Sequence, residues 1–377
     1  KITKPSDDPV VAMKGMRYRS QVVEVDQFRR NLNEGFNWME NADSALNEVN
    51  QVLQRVRELV VQASNDSYEV EARKNIEKEI SRLQEHIVAL ANTRVGENYI
   101  FNGTDTANPP INETMFTEDY NMFLNNLNKA AADPDNAEIL PDDYVISYKG
   151  QVYRYAGTDA DGTVTYAVMP KIQYKVVDVE TETEETREGY AATIQIDSSG
   201  SITHTFLQEE KNLRGSMIEK TEQLADNKLV ISRKDAVSTN TQPVEIEVMK
   251  GVKIPININS NKAFSIDMFS GIESIKKMLT DPDATGAEIT KALDSIDKYL
   301  NDIVSARSEL GAQINRAEMV ESRLLEQKVV AEETVSNNED IEFEEAIIQL
   351  MIQESIHRAS LATGARIIQP TLMDFLR

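Results

Sequence analysis

With 377 residues, 40% apolar and 6% aromatic, the chain has room for two or three domains but is not rich in core-forming side chains. Its 40 Lys and Arg stand against 63 Asp and Glu, a formal net charge of −23, which argues against a nucleic-acid or anionic-membrane partner because both would repel it. The absence of cysteine excludes disulfides, thiolate metal sites and cysteine nucleophiles.

The chain opens on Lys1 rather than methionine, so residues are expected upstream. No basic-then-apolar signal peptide follows, and no stretch reaches the ~18 apolar residues that span a bilayer. Ser6-Asp7-Asp8-Pro9 predicts a helix start, with Asp8 as N-cap and Pro9 at the first helical position. From Pro9 to about Ala63 no proline intervenes, and a continuous helix there would be about 80 Å long. Gly15 and Gly35 are places where it can kink. Ala42, Leu46, Val49, Leu53, Val56, Val60 and Ala63 step by fours and threes, which makes a narrow apolar seam that another helix must cover. The turn cluster from Ser64 to Ser67 follows, and Asp66 with Glu69 resembles a capping box. A second seam of Ile76, Ile80, Leu83, Ile87 and Leu90 then predicts an antiparallel helical hairpin.

Asn102-Gly103 and Pro109-Pro110 end the helical pattern. From about Ile111 to Asn240 the composition turns β-rich. Val152 to Tyr155 and Thr163 to Tyr166 flank Asp161-Gly162 as a hairpin, and Ile172 to Val179 and Ala191 to Ile196 are further strands. Thr181 to Glu188 reads as a solvated acidic loop. Val244, Ile246 and Val248, then Val252, Ile254, Ile256 and Ile258, flank Lys250-Gly251 as a hairpin whose apolar face packs on the helices, and Pro255 makes its second strand an edge.

Ser270 to Thr280 and Ala287 to Asn337 return to helix. Ile289, Leu293, Ile296, Leu300 and Ile303 form a seam that Leu310, Ile314, Ala317 and Leu324 continue, with Arg307, Glu321 and Lys328 as polar positions that fix register. Ile341 to Arg377 is apolar on more than one face, and such a helix needs cover. Nothing else in the chain supplies it, so a missing N-terminal helix or neighbouring subunits are expected to.

The expected fold is mainly α with a β-rich insert: an elongated antiparallel helical rod, a β-hairpin on the rod, and an inserted α+β or all-β domain. The rod takes residues 1–107 and 242–340 with the hairpin at 243–258, the insert takes 108–241, and 341–377 forms a core-building helix.

No catalytic chemistry stands out. His86, His204 and His357 are scattered and read as surface or interface residues. Asp159 to Gly162 resembles a calcium loop but lacks the later ligands, so a turn is the better reading. Asn102-Gly103-Thr104 and Asn112-Glu113-Thr114 fit the glycosylation triplet, which is common by chance. No dinucleotide, phosphate-loop or nucleophile-elbow motif occurs. No enzyme activity, cofactor or metal is expected.

Three stretches carry a family resemblance: Lys4-Pro5-Ser6-Asp7-Asp8-Pro9-Val10-Val11-Ala12; Leu53-Gln54-Arg55-Val56-Arg57-Glu58-Leu59-Val60-Val61-Gln62-Ala63-Ser64-Asn65; and Ala306-Arg307-Ser308-Glu309-Leu310-Gly311-Ala312-Gln313-Ile314-Asn315-Arg316. They resemble the two terminal signatures of the flagellin superfamily, in the right order. Within it, Tyr99 to Thr104 with Pro109-Pro110, and the hairpin from Val244 to Ile258 followed by Phe264 and Phe269, are similar to the hook-associated protein 3 group at the hook–filament junction.

The resemblance implies a structural part of the bacterial flagellum, exported through the flagellar type III channel to the outside of the cell. It implies stacking between the first hook-associated protein and flagellin, with copies of itself alongside and an export chaperone on the C-terminal part. It also implies a further N-terminal segment that pairs with the C-terminal helix and is not in this sequence. Ile347, Leu350, Met351, Leu361, Ile367, Ile368, Leu372, Phe375 and Leu376 would supply the shared apolar core. Arg55, Leu59 and Glu79 fall where flagellins carry residues read by a Toll-like receptor, and axial subunit packing is the plainer role for them. Flagellin itself is the alternative, and a secreted coiled-coil adhesin with a ligand-binding insert is the competitor from another class.

Overall fold

A computed structural model describes residues 9–65, 69–134, 136–177, 184–209, 217–340 and 343–374. Helices α1 (Pro9–Ala63) and α2 (Val70–Ala91) are followed by a short ribbon of β1 (Arg94–Val95) and β2 (Asn98–Tyr99). Helix α3 (Tyr120–Ala132) precedes nine strands: β3 (Tyr144–Tyr148), β4 (Gln151–Thr158), β5 (Val164–Ala167), β6 (Ile172–Val177), β7 (Glu184–Gly189), β8 (Ala192–Ile196), β9 (Ile202–Glu209), β10 (Met217–Leu224) and β11 (Val230–Arg233). The hairpin β12 (Glu245–Met249) and β13 (Val252–Pro255) leads to helices α4 (Ser260–Ala263), α5 (Ile266–Thr280), α6 (Gly286–Glu339) and α7 (Phe343–Asp374). The fold is thus mainly α with a β-rich insert. The chain divides into two compact units, one of residues 1–32, 247–252 and 318–377, the other of 33–246 and 253–317.

In the larger unit the α1 seam is fully used: Ala42, Leu46, Val49, Leu53, Val56, Val60 and Ala63 are all buried. Arg55 meets Glu79 and Glu48 meets His86, so α1 and α2 run antiparallel. Arg57 meets Asp297 and Asp43 meets Arg307, so α6 is antiparallel to α1 as well. Arg307 sits between Asp43, with bonds of 3.0 and 3.1 Å, and Asn47 Oδ1 at 2.9 Å. This polar seam position therefore pins register, as expected.

Several expectations need correction. The Asp66 cap lies outside the described residues, and α2 starts from Glu69, which makes no side-chain capping bond. Asp8 and the Lys4–Asp8 part of the first motif also lie outside them, while its Pro9–Ala12 part opens α1. On α6 the deep positions are Ile289, Ala292, Ile296, Tyr299, Ile303 and Ala306, while Leu293 and Leu300 are only half-buried. The stripe is rotated because α5 is a second neighbour. Tyr299 Oη donates to the Asp267 carbonyl of α5 at 2.9 Å, and a Cβ on Gly271 would strike the same phenol. On α2, Gln84 replaces Leu83 in the core for the same reason: it accepts from Lys276 Nζ of α5 at 3.2 Å.

Gly35 lies within α1, which is assigned as helix throughout Pro9–Ala63. A Cβ there would collide with Ile246 and come within 3.2 Å of Ile256, so glycine lets the hairpin segment lie against the helix. Val248, Ile254, Ile256 and Ile258 are buried, as the alternation requires.

The nine strands form one sheet in the order β11-β3-β4-β5-β8-β9-β10-β6-β7, antiparallel except where β10 meets β6. Strand β3 is buried at every position. On one face Tyr144, Ile146, Tyr166 and Ile194 pack with Phe123 and Leu127 of α3. Ser147 points the other way and shares a 2.7 Å hydrogen bond with Ser270 of α5. The β4–β5 hairpin turns through Gly162 as predicted, with φ +84°.

The acidic stretch from Thr181 was expected to be loop. Residues 181–183 lie outside the described part, but Glu184–Gly189 is β7, paired with β6 at the sheet edge. An edge strand with solvated faces tolerates charge, and charge there blocks pairing with other chains. Helix α3 and strands β3, β9, β10 and β11 were not anticipated. The signal for α3 was present in Asp119, which accepts from Asn121 N at 2.9 Å and Met122 N at 3.3 Å.

In the smaller unit, Asp26 meets Lys328 at 2.9 Å and Arg19 meets Glu339 at 2.9 Å, again antiparallel. The Lys328 hydrogen bond holds the Asp26 carboxyl below its ordinary value. Asn31 Nδ2 donates to the Glu247 carbonyl at 3.0 Å.

The β3–β4 turn is the tightest test of this packing. Lys149 and Gly150 have φ +49° and +78°, the geometry of a two-residue hairpin turn. A Cβ on Gly150 would lie 2.8 Å from Ala292 Cβ. We expect Gly150→Ala to lower stability by about 1–3 kcal/mol through left-handed strain and overlap with α6. Urea unfolding followed by circular dichroism checks this.

Candidate assembly surface

Helix α7 has no apolar stripe with an opposed polar face. Leu350, Met351 and Leu361 are 69%, 63% and 61% exposed. Phe343, Ile347, Ile348, Ile352 and Ile356 are exposed too. At ~100° per residue these positions cover about two-thirds of the helix circumference. The remaining strip holds Gln349, Gln353, His357 and Ser360. Exposed Leu, Ile and Met side chains each forgo about 1.5–3 kcal/mol of burial, so covering them would be favourable. Of the nine residues predicted for this surface, Ile347, Leu350, Met351 and Leu361 are placed in solvent. Ile367, Ile368 and Leu372 lie on the same helix, and Phe375 and Leu376 lie outside the described residues.

Further exposed apolar side chains were missed by the sequence reading. Met13, Met16 and Val23 share a stripe on α1, and Met319, Val329 and Val330 are exposed on α6. The run of methionine and valine after Pro9 was the available signal, but it lies ahead of the heptad seam that starts at Ala42.

The second predicted cluster is divided by the fold. Arg55 donates to Glu79 Oε1 at 3.0 and 2.8 Å and to Glu58 Oε2 at 3.1 Å. Hydrogen bonds to Glu79, then Glu58, push its guanidinium above the ordinary value. Leu59 does not share this surface. It is 1% exposed in the helical core, because the seam of α1 is wider than one stripe and takes Leu59 with Val60.

Among the described residues no group of three or more His, Asp or Glu is arranged to hold a metal ion, and no helix is long and apolar enough to cross a membrane. Asp161 closes its turn by accepting from Thr163 N at 3.2 Å. Asn102 is buried, and Asn112 Oδ1 caps a short 3-10 turn. Two histidines lie where expected: His86 against Glu48 and His357 in solvent. His204 does not; it is buried inside the sheet.

A family profile, the bacterial flagellin N-terminal helical region, matches residues 1–106. Flagellin B of Vibrio cholerae is 33% identical over 105 residues, which cover 28% of this chain and 28% of flagellin B. The match therefore spans less than a third of that relative's length. Among solved structures, a protein of Vibrio parahaemolyticus described as flagellar hook-associated has a TM-score of 0.54 at 14% identity, covering 89% of this chain and 100% of that one. Flagellar hook-associated protein-3 of Legionella pneumophila has a TM-score of 0.46 at 15% identity, covering 87% and 99%. The similarity in sequence to flagellins is thus confined to the N-terminal helices, and the likeness to the Vibrio parahaemolyticus structure is one of fold.

The division of the second cluster has a measurable consequence. Leu59→Ala is expected to cost about 2–5 kcal/mol as a core cavity. Arg55→Ala, at a solvent-exposed ion pair, is expected to cost no more than about 1 kcal/mol. Parallel urea titrations read by Trp38 fluorescence compare the two.

Proposed function

We propose that this chain is a structural subunit of the bacterial flagellar axis, at the junction between hook and filament, outside the cell. The observation that carries the reading is α7, a long helix whose apolar residues face solvent on most sides. The flagellin-type match at residues 1–106 supports the flagellum as the setting, and the hook-associated fold likeness supports the junction.

In this reading the helical part, residues 1–107 and 242–340, packs axially. The insert, 108–241, faces outward, and 341–377 joins a core shared with neighbouring subunits. The partners are copies of the chain, the first hook-associated protein on one side and flagellin on the other. Export runs through the flagellar type III apparatus, with a chaperone on the C-terminal part. Burial of Ile347, Leu350, Met351 and Leu361 between subunits supplies the driving force, and no bond is made or broken.

Flagellin itself is the second reading, favoured by the match to flagellin B. Deleting the gene separates the two. Hooks without filaments, with flagellin lost to the medium, support the junction; absence of flagellin itself supports the filament subunit; normal filaments end both.

Removing residues 341–377 from the full-length protein is expected to leave the helical and sheet parts folded but to abolish incorporation into flagella. Circular dichroism of the secreted protein and electron microscopy of the cells check both halves of that expectation, and normal filaments would refute it.

A further inference from the structure

We infer that His204 is a proton-sensitive tie across the nine-stranded sheet, and that acidification loosens strands β9 and β10 while the strands held by α5 keep their structure. The His204 side chain is 8% exposed. Its Nδ1 lies 2.9 Å from Glu222 Oε1 on β10, and its Nε2 lies 3.0 Å from Tyr153 Oη on β4. The Phe206 ring stacks on it at 5.0 Å, and Tyr148 meets it edge-on at 5.2 Å.

Strands β4 and β9 are not neighbours; β5 and β8 lie between them. At ~4.8 Å per strand their backbones would stand about 14 Å apart in a flat sheet. The Tyr153–His204 bond thus joins the two halves across a curled interior, where neighbour-to-neighbour pairing cannot.

A neutral ring satisfies this site with one arrangement. Nδ1–H donates to Glu222, and Nε2 accepts from the Tyr153 hydroxyl. Protonation places a hydrogen on Nε2 and reverses the second bond. The Tyr153 hydroxyl must then turn to its other acceptor, Gln151 Oε1, at the longer distance of 3.3 Å. A cation is left in a pocket nearly closed to water.

The charged and titratable groups around the ring act in opposite senses. Glu222 of β10 favours the cation. Lys149, in the turn after β3, opposes it. Burial works against charge on Lys149 too, but its contact with Glu288 of α6 at 2.7 Å keeps it protonated. Burial holds the Tyr148 and Tyr153 hydroxyls neutral by pushing both upward. For His204 itself burial prevails and lowers its value, with Lys149 adding to the effect and Glu222 opposing it. A depressed folded-state value gives stability that is present above the unfolded value of about 6.5 and is lost as pH falls through the folded one.

The halves of the sheet differ in what else holds them. Strand β3 and its turn are bonded to α5 through Ser147–Ser270 at 2.7 Å and Gly150 N–Ser274 Oγ at 2.9 Å, and β4 through Arg154–Asp267 at 2.8 Å. Neither β9 nor β10 has a corresponding bond to α5 among the described residues. Loss of the His204 tie therefore acts on β9 and β10 first.

The test is an NMR titration of His204 in the full chain, with hydrogen exchange of the same sample from about pH 7.5 to about pH 5, corrected for the intrinsic pH dependence of exchange. The expected result is a His204 midpoint below 6.5 and loss of β9 and β10 protection in step with it, while β3 and β11 stay protected. His204→Phe keeps a ring among the aromatic neighbours and is expected to remove the pH dependence. A midpoint at or above 6.5, or unchanged protection of β9 and β10 through the titration, overturns the inference. The wild-type measurement decides even where the variant fails to fold.

Discussion

The antiparallel pairing of α1 with α6 is the constraint on which the larger unit depends. Arg57 and Asp297 are 240 residues apart in sequence yet 2.6 Å apart in space. Closing so long a loop has an entropic cost that grows only slowly with length, so the seam of Leu46, Val49, Leu53 and Val56 can offset it by burial. Once α1 and α6 are paired, both ends of the intervening chain are fixed. The sheet and hairpin then have anchored starting points. Arg307 adds direction rather than strength: its fork matches Asp43 and Asn47 in one register.

A second relation links sequence to packing through small residues. Ala292 on α6, Gly271 on α5 and Gly35 on α1 each mark a place where another element comes close. The contacts of α2 and α6 with α5 explain why their observed stripes are displaced from the strongest apolar pattern. Leucine spacing identifies a helix that packs, but the neighbouring elements decide which side packs deepest. Leu293 and Leu300 fit the heptad spacing, but with two neighbouring helices the adjacent Ala292 and Tyr299 are the buried positions.

Legibility in the sheet followed the same logic. Hairpins announced by Asp161-Gly162 and Lys250-Gly251 were readable, because a turn with positive φ needs glycine locally. Strand β3 was not. Its five residues are buried on both faces, so it lacks the alternation that reveals a half-buried strand. Strand β7 was hidden for the opposite reason: the exposed Thr186 and Glu188 suit an edge that water reaches, and composition alone describes a loop equally well. In the candidate site, the apolar excess of α7 was visible from Ile347 to Leu361. The burial of Leu59 was not, since it depends on which helices surround α1.

By itself the sequence determined the long helices, the two glycine hairpins, the change to β composition in the middle and an unbalanced apolar helix near the end. All of these rest on local geometry and periodicity, which the backbone enforces within a few residues. Only the tertiary structure decided the order of nine strands, the rotation of α2 and α6 about their seams, the burial of Leu59 and the placing of His204 between β4 and β10. Those outcomes depend on contacts between residues far apart in the chain. Close packing admits few such arrangements, and no single segment encodes which one is reached.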